Sequence, residues 1–200
     1  MLIQHKVTRR RFRARGHTAP VAGEMPSGLA WEPELIDEVD EQRLLAGFDE
    51  LDFRPVVIRG QTSRRMAAHF GLRYGYENRK LTPGDPIPEL LLPLRERAAG
   101  LAGVAPEELE QALVQRYPEG ATIGWHRDSE PFERIVGISL RGSARLRFRR
   151  GRVRAWETWE LEAPPRSAYV LAGEARSEWE HSIPPAKKLR YSVTFRDLRT

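Results

Sequence analysis

The stretch "GWHRDSEPFERIVGISL", Gly124–Leu140, decides how this chain is read. It places His126 and Asp128 two positions apart at the mouth of an apolar strand. On an extended backbone residues i and i+2 share a face, so an H-x-D pair there converges on one point. That point suits a metal ion. The same pair also arises by chance, and a strand histidine is commonly structural, so the reading needs support from elsewhere in the chain.

A third ligand is available in His181 of "SEWEHSIPP". Two ligands from one strand end and one from a distant strand form a 2-His-1-carboxylate triad, which leaves coordination positions free on the metal. The chain has no cysteine, which excludes disulfides, zinc–cysteine and iron–sulfur centres and thiol catalysis, so any metal must be held by histidine and carboxylate. Near the C-terminus, "LRYSVTFRDL" alternates Arg190, Ser192, Thr194 and Arg196 with Tyr191, Val193 and Phe195. Arginines that face a barrel interior demand anions, and a dicarboxylate offers a bidentate match. The other reading is a solvent-facing basic edge, and the strand alone does not decide between them.

The 200 residues fit one domain, over 21–200, behind a basic and flexible arm over 1–20 that carries six basic residues and no acid. The arm lacks the apolar region of a secretory signal, and no run of about 18 apolar residues occurs, so the expectation is a soluble, cytoplasmic monomer without a membrane partner. A net charge of +5 favours a polyanionic partner. Its distribution is uneven: Glu24 to Asp52 carry ten acids against one base, whereas Arg141 to Arg154 carry seven arginines and no acid. In "RGSARLRFRR" the residues Arg145, Arg147 and Arg149 fall on one face and Leu146 and Phe148 on the other, which predicts a half-buried strand with a basic outer face.

Helical signals lie in the N-terminal half: a helix around Glu41 to Gly47, a short one in "TSRRMAAHFG" with its Thr/Ser cap and Met66/Phe70 pair, and the longest in "PELLLPLRERAAGLAG", followed by a turn at Pro106. His69 falls within the second as an ordinary helix histidine. From Val114 onward short β-type runs take over, including "RIVGISL", "TWELEA", "SAYVLAG" and "LRYSVTFR". Many short strands at such spacing predict a mostly β sandwich or barrel with flanking helices.

The order "QRYPEGATIGWHRD", "SLRGSARLRF", "RSAYVLAGEARSEWEHSIPP" and "RYSVTFR" resembles the AlkB family of Fe(II)- and 2-oxoglutarate-dependent dioxygenases, over about Arg54 to Arg199. The resemblance implies a double-stranded β-helix (jelly-roll) core over about 110–199 and a lid over about 54–86. Position by position, it implies that His126, Asp128 and His181 bind Fe(II). Arg190 would pair with the distal carboxylate of 2-oxoglutarate and Arg196 would lie near its chelating end, while Tyr117 would hydrogen-bond the cosubstrate and Ser192 would line the same pocket. Gln115 stands where the family commonly has asparagine. The implied activity uses O2 and 2-oxoglutarate to dealkylate N-alkylated bases, with aldehyde, succinate and CO2 released.

The implied partner is nucleic acid, DNA ahead of RNA. A base must leave its duplex to enter such a pocket. Tyr74 and Tyr76 lie in the lid among Arg59, Arg64, Arg65, Arg73 and Arg79, where they would offer stacking surface and phosphate contacts. Glu130 falls where an acid would face the base. Two alternatives stay open: the same chemistry on a protein or small molecule, and a non-catalytic nucleic-acid-binding barrel.

Overall fold

Two facing sheets carry the alternating patterns of the sequence. The computed structural model of the chain describes residues 24–58, 60–75 and 80–199, so the basic arm, Arg59, Tyr76 and Arg79 lie outside the described residues. Along the chain run β1 (Leu29–Glu32), α1 (Glu38–Gly47), β2 (Arg54–Ile58), β3 (Gln61–Tyr74), β4 (Leu81–Pro83), α2 (Leu92–Ala102), β5 (Gln111–Tyr117), β6 (Ile123–His126) and β7 (Phe132–Leu140). There follow β8 (Ala144–Arg152), β9 (Ala155–Ala163), β10 (Ala168–Leu171), α3 (Gly173–Ser177), β11 (Glu180–Ile183) and β12 (Arg190–Leu198). Among the described residues, an eight-stranded sheet has the order β1-β10-β7-β12-β5-β3-β2 with β4 paired to β3, and a four-stranded sheet has the order β6-β11-β8-β9. This is the mostly β jelly-roll architecture that the strand spacing and the resemblance predict. No helix among the described residues is long and apolar enough to cross a membrane.

Strand β12 shows how the sequence sorts the two faces. Its Tyr191, Val193 and Phe195 join Val114, Val136 and Ile138 and the helix residues Leu44, Leu94 and Ala98 in one apolar cluster. Full burial of a side chain such as Phe195 stabilises the fold by about 1.5–3 kcal/mol. The intervening Arg190, Ser192, Thr194 and Arg196 therefore face the interior between the sheets, where a second cluster holds Phe132, Ile135, Phe148, Trp159 and Trp179. Helix α1 covers the outer side. Asp37 caps it by accepting from the Asp40 amide at 2.8 Å, and Glu38, Asp40 and Glu41 sit at the positive end of its dipole.

The segment "TSRRMAAHFG" is not a helix but the middle of β3, paired with β5 from Met66↔Arg116 to Gly71↔Gln111. The pattern is ambiguous by arithmetic. A spacing of four is one helical turn and also two strand repeats, so Met66 and Phe70 share a face in either conformation. Gly71, which resembles a helix terminator, instead marks a kink: its φ is +73°, and a Cβ there would lie 2.0 Å from the Glu110 carbonyl oxygen. His69 is accordingly a strand residue.

Strand β8 alternates as expected, with Leu146 and Phe148 buried, but its outer face is not simply basic. Arg145 pairs with Glu160 at 3.4 Å and Arg149 with Glu180 at 2.7 Å, while Arg147 donates to the Ser182 hydroxyl at 3.2 Å. Arg149 also stacks on Trp125 and Trp156, its guanidinium carbon 4.4 Å from each ring centre. The acids come from β9 and β11, which is why β8 read alone looks cationic. Such partly exposed pairs add little stability, yet they neutralise the surface.

Candidate metal centre

Antiparallel pairing of β6 with β11 sets His126 opposite His181, with ring centres 4.3 Å apart. Asp128 lies in the loop after β6, which ends at His126, so strand pairing does not hold it, although its carboxylate converges with the two imidazoles as the H-x-D spacing predicts. A hydrogen bond places it instead: Arg196 Nη2 donates to Asp128 Oδ1 at 2.8 Å, and Oδ2 lies 3.5 Å from His181 Nε2. One ligand atom from each of the three residues falls within 4.8 Å of the others. Arg196 thus occupies one carboxylate oxygen and leaves the other for a metal.

Protonation fits the same role. The Nδ1 of His126 lies 3.0 Å from the Gly124 carbonyl, an acceptor, which assigns the proton to Nδ1 and frees Nε2. Burial, reinforced by neighbouring His126, pushes His181 down to about 3, so it is neutral near pH 7. Burial alone would raise Asp128, but Arg196 and the two histidines outweigh it and hold the carboxyl well below its usual range. Two imidazoles and one carboxylate are the donor set of a non-heme Fe(II) site.

The same shift makes the metal-free protein acid-sensitive. The unfolded chain binds a proton at a histidine near pH 6.5 whereas folded His181 resists it to about 3, so stability falls as pH drops below about 6.5. By pH 5 the His181 contribution is a loss of about 2 kcal/mol, and His69, lowered by burial to about 4, acts in the same direction. Urea unfolding of metal-free protein at pH 7.5 and pH 5 should show this loss, and a saturating divalent metal should add stability at pH 7.5.

The triad opens into a cavity of about 780 Å³ between the sheets, lined by Gln115, Tyr117, Arg190, Ser192 and Arg196 among others. That volume lies within the range of small-molecule sites. Arg190 is 1 % exposed, donates from Nε to the Ser139 hydroxyl at 3.1 Å, lies over the Tyr117 ring at 4.7 Å, and has a buried Nη1 without a partner. A buried guanidinium with an unused donor fits an anion in the cavity. Tyr117 donates to the Gln115 side-chain oxygen at 3.0 Å, so Gln115 orients this hydroxyl.

Of the lid residues singled out in the sequence, Tyr74 packs edge-on against Phe132 and Arg73 pairs with Asp85 at 3.5 Å. Neither lines the cavity, nor does Glu130, which is exposed in the turn after Ser129. Their residue types suit substrate contact, but Tyr74 is turned to packing, and Arg73 and Glu130 to solvent. Among the lid arginines and tyrosines singled out, Arg65 does line the cavity, 9 % exposed and with its Nε unpartnered among the described residues. Reading 61–74 as a strand would have found it, because Arg65 then shares a face with Ser63 and Ala67. Tyr169 also lines the cavity and was legible only as an inward position of "SAYVLAG".

The model of the family described as the 2OG-Fe(II) oxygenase superfamily matches residues 34–196. The "Alkylated DNA repair protein ALKBH8 homolog" of Arabidopsis thaliana is 30 % identical over 185 residues, which cover 80 % of this chain and 51 % of that protein. The mouse (Mus musculus) "tRNA (carboxymethyluridine(34)-5-O)-methyltransferase ALKBH8" is 26 % identical over 170 residues, 82 % of this chain and 25 % of that protein. The chain thus spans about half the length of the first relative and a quarter of the second. In fold, the solved structure of OsALKBH1 superposes with a TM-score of 0.65 at 15 % identity, covering 88 % of this chain and 99 % of that one. The family match across both sheets and all three candidate ligands makes this chain an AlkB-like member of the 2OG-Fe(II) oxygenase superfamily, with Fe(II) as its cofactor and 2-oxoglutarate and O2 as cosubstrates.

Proposed function

We propose that this enzyme oxidises an alkyl group carried on a nitrogen of a nucleic-acid base, so that the group leaves as aldehyde and the base is restored. The observation that carries the reading is the surplus cation of the cavity: Arg196 is taken by Asp128, Arg190 would meet the cosubstrate, and the buried Nε of Arg65 has no partner among the described residues. Gln61, Thr62 and Ser63 line the cavity beside it. A polar, cationic flank suits the hydrogen-bonding edge and phosphate of a nucleotide taken out of its stack. Bound Fe(II) and 2-oxoglutarate supply the oxidation of the C–H bond by O2, with succinate and CO2 as coproducts. The chain's residues position the reactants: the triad fixes the metal, Arg190 with Tyr117 and Ser192 orients the dicarboxylate, and β3 forms the wall against which the base is placed.

The relatives' names point to both DNA and tRNA, so the test has two nucleic-acid arms. N-methylated single-stranded DNA and RNA oligonucleotides are assayed for formaldehyde beside methylated peptides. Release from an oligonucleotide is expected, and release from peptides alone would overturn the reading. Arg65→Ala should lower kcat/KM for the oligonucleotide by about 10- to 100-fold, the range for hydrogen bonds to charged groups, and leave substrate-free 2-oxoglutarate turnover unchanged. Because Arg145 and Arg149 are neutralised by Glu160 and Glu180, replacing them should change the salt dependence of binding less than replacing Arg65.

A further inference from the structure

Arg196 leaves one oxygen of Asp128 for a metal, although its planar guanidinium is built to take both. Guanidinium and carboxylate commonly pair through two parallel N–H···O bonds. Here Nη2 alone donates to Asp128, at Oδ1, while the buried Nε of the same group has no partner among the described residues. The remaining Nη1 donates to Gln111 Oε1 at 2.5 Å. A second bond to Asp128 would engage Oδ2, the oxygen that lies 3.5 Å from His181 Nε2. Some contact has to hold the guanidinium short of that fork.

Gln111 is placed to do so. It lies directly opposite Arg196 where β5 pairs with β12, and opposite Gly71 where β5 pairs with β3. It is 2 % exposed, and its amide is bonded at both ends: Nε2 donates to the Leu72 carbonyl at 2.6 Å, just past the Gly71 kink, and Oε1 accepts from Arg196. A carbonyl only accepts and a guanidinium only donates, so one orientation of the amide satisfies both. The backbone of β3 thereby anchors the plane of Arg196. An apolar side chain at position 111 would leave Nη1 without its acceptor and free the guanidinium to turn.

We infer that Gln111 is a positioning residue for the metal centre: it holds Arg196 to one oxygen of Asp128 and so keeps the other free for the metal. The cosubstrate and the oxidised substrate play no part in this, so the test uses Mn(II) alone, with binding read from the loss of the free-ion signal in electron paramagnetic resonance. Gln111→Met keeps the length of the side chain and removes both polar ends. Arg196 should then close on both oxygens of Asp128, and Mn(II) affinity should fall by about 10- to 100-fold, the cost of losing a partner that orients a ligand. Gln111→Glu gives up the bond to Leu72 but returns an acceptor to Arg196, so it should bind Mn(II) within about threefold of wild type. A folded Gln111→Met protein that binds Mn(II) within about threefold of wild type would overturn the assignment. A loss of about tenfold or more in Gln111→Glu would do the same, because the effect would then follow the Leu72 bond or the packing of β3 and not the acceptor for Arg196. That second result decides the matter even if Gln111→Met does not fold.

Discussion

Asp128→Ala is expected to abolish turnover of 2-oxoglutarate to succinate. The carboxylate is one of three candidate ligands, and it is kept ionised despite its burial because Arg196 donates to it at 2.8 Å. Loss of a group that merely orients a ligand costs about 10- to 100-fold in metal affinity or activity, so loss of the ligand itself should cost at least about 100-fold. The alanine variant has a second effect. Arg196, whose side chain is 12 % exposed, would lose the one carboxylate it meets among the described residues and keep Gln111, so the variant should also lose stability, toward the several kcal/mol typical of a broken buried pair. Asp128→Asn separates the two effects, because its amide oxygen can still accept from Arg196. It should unfold close to wild type in metal-free urea titrations, show no stabilisation by Mn(II), and form no succinate. Succinate formation at the wild-type rate in either variant would remove Asp128 from the metal site.

Arg190→Lys is the second large effect. Arg190 is buried, its Nε is fixed by Ser139, and its Nη1 is left for a ligand. Lysine preserves the charge and loses the planar fork that matches a carboxylate. Binding of 2-oxoglutarate should weaken by about 1–3 kcal/mol, which is about 5- to 150-fold in Kd. Metal affinity should stay near wild type, since Arg190 is not one of the three residues whose ligand atoms converge. Calorimetry with Mn(II)-loaded protein reads both quantities, and an unchanged Kd for 2-oxoglutarate would mean that the dicarboxylate lies elsewhere.

Much of the site was legible because it sits on strands whose alternation survives in the sequence. The two faces of β12 are plain in "RYSVTFR", and His126 and His181 fall at strand ends that pair directly. What was hidden depends on sheet order. Asp128 was legible as a ligand, but its hydrogen bond from Arg196, sixty-eight positions away, was not. The acids that neutralise β8 come from β9 and β11, so no reading of β8 alone could find them. Met66 and Phe70 suit a helix as well as a strand, and with β3 misread the inward position of Arg65 was lost. Tyr169 needed knowledge that β10 lies beside β7 at a glycine.

The most direct test is a crystal structure of the protein with Mn(II) and 2-oxoglutarate, located by the anomalous signal of the metal. The account predicts one anomalous peak bounded by Nε2 of His126, a carboxylate oxygen of Asp128 and His181, with the dicarboxylate running from that peak to Arg190. A peak away from these three residues, or a dicarboxylate that does not meet Arg190, would contradict it.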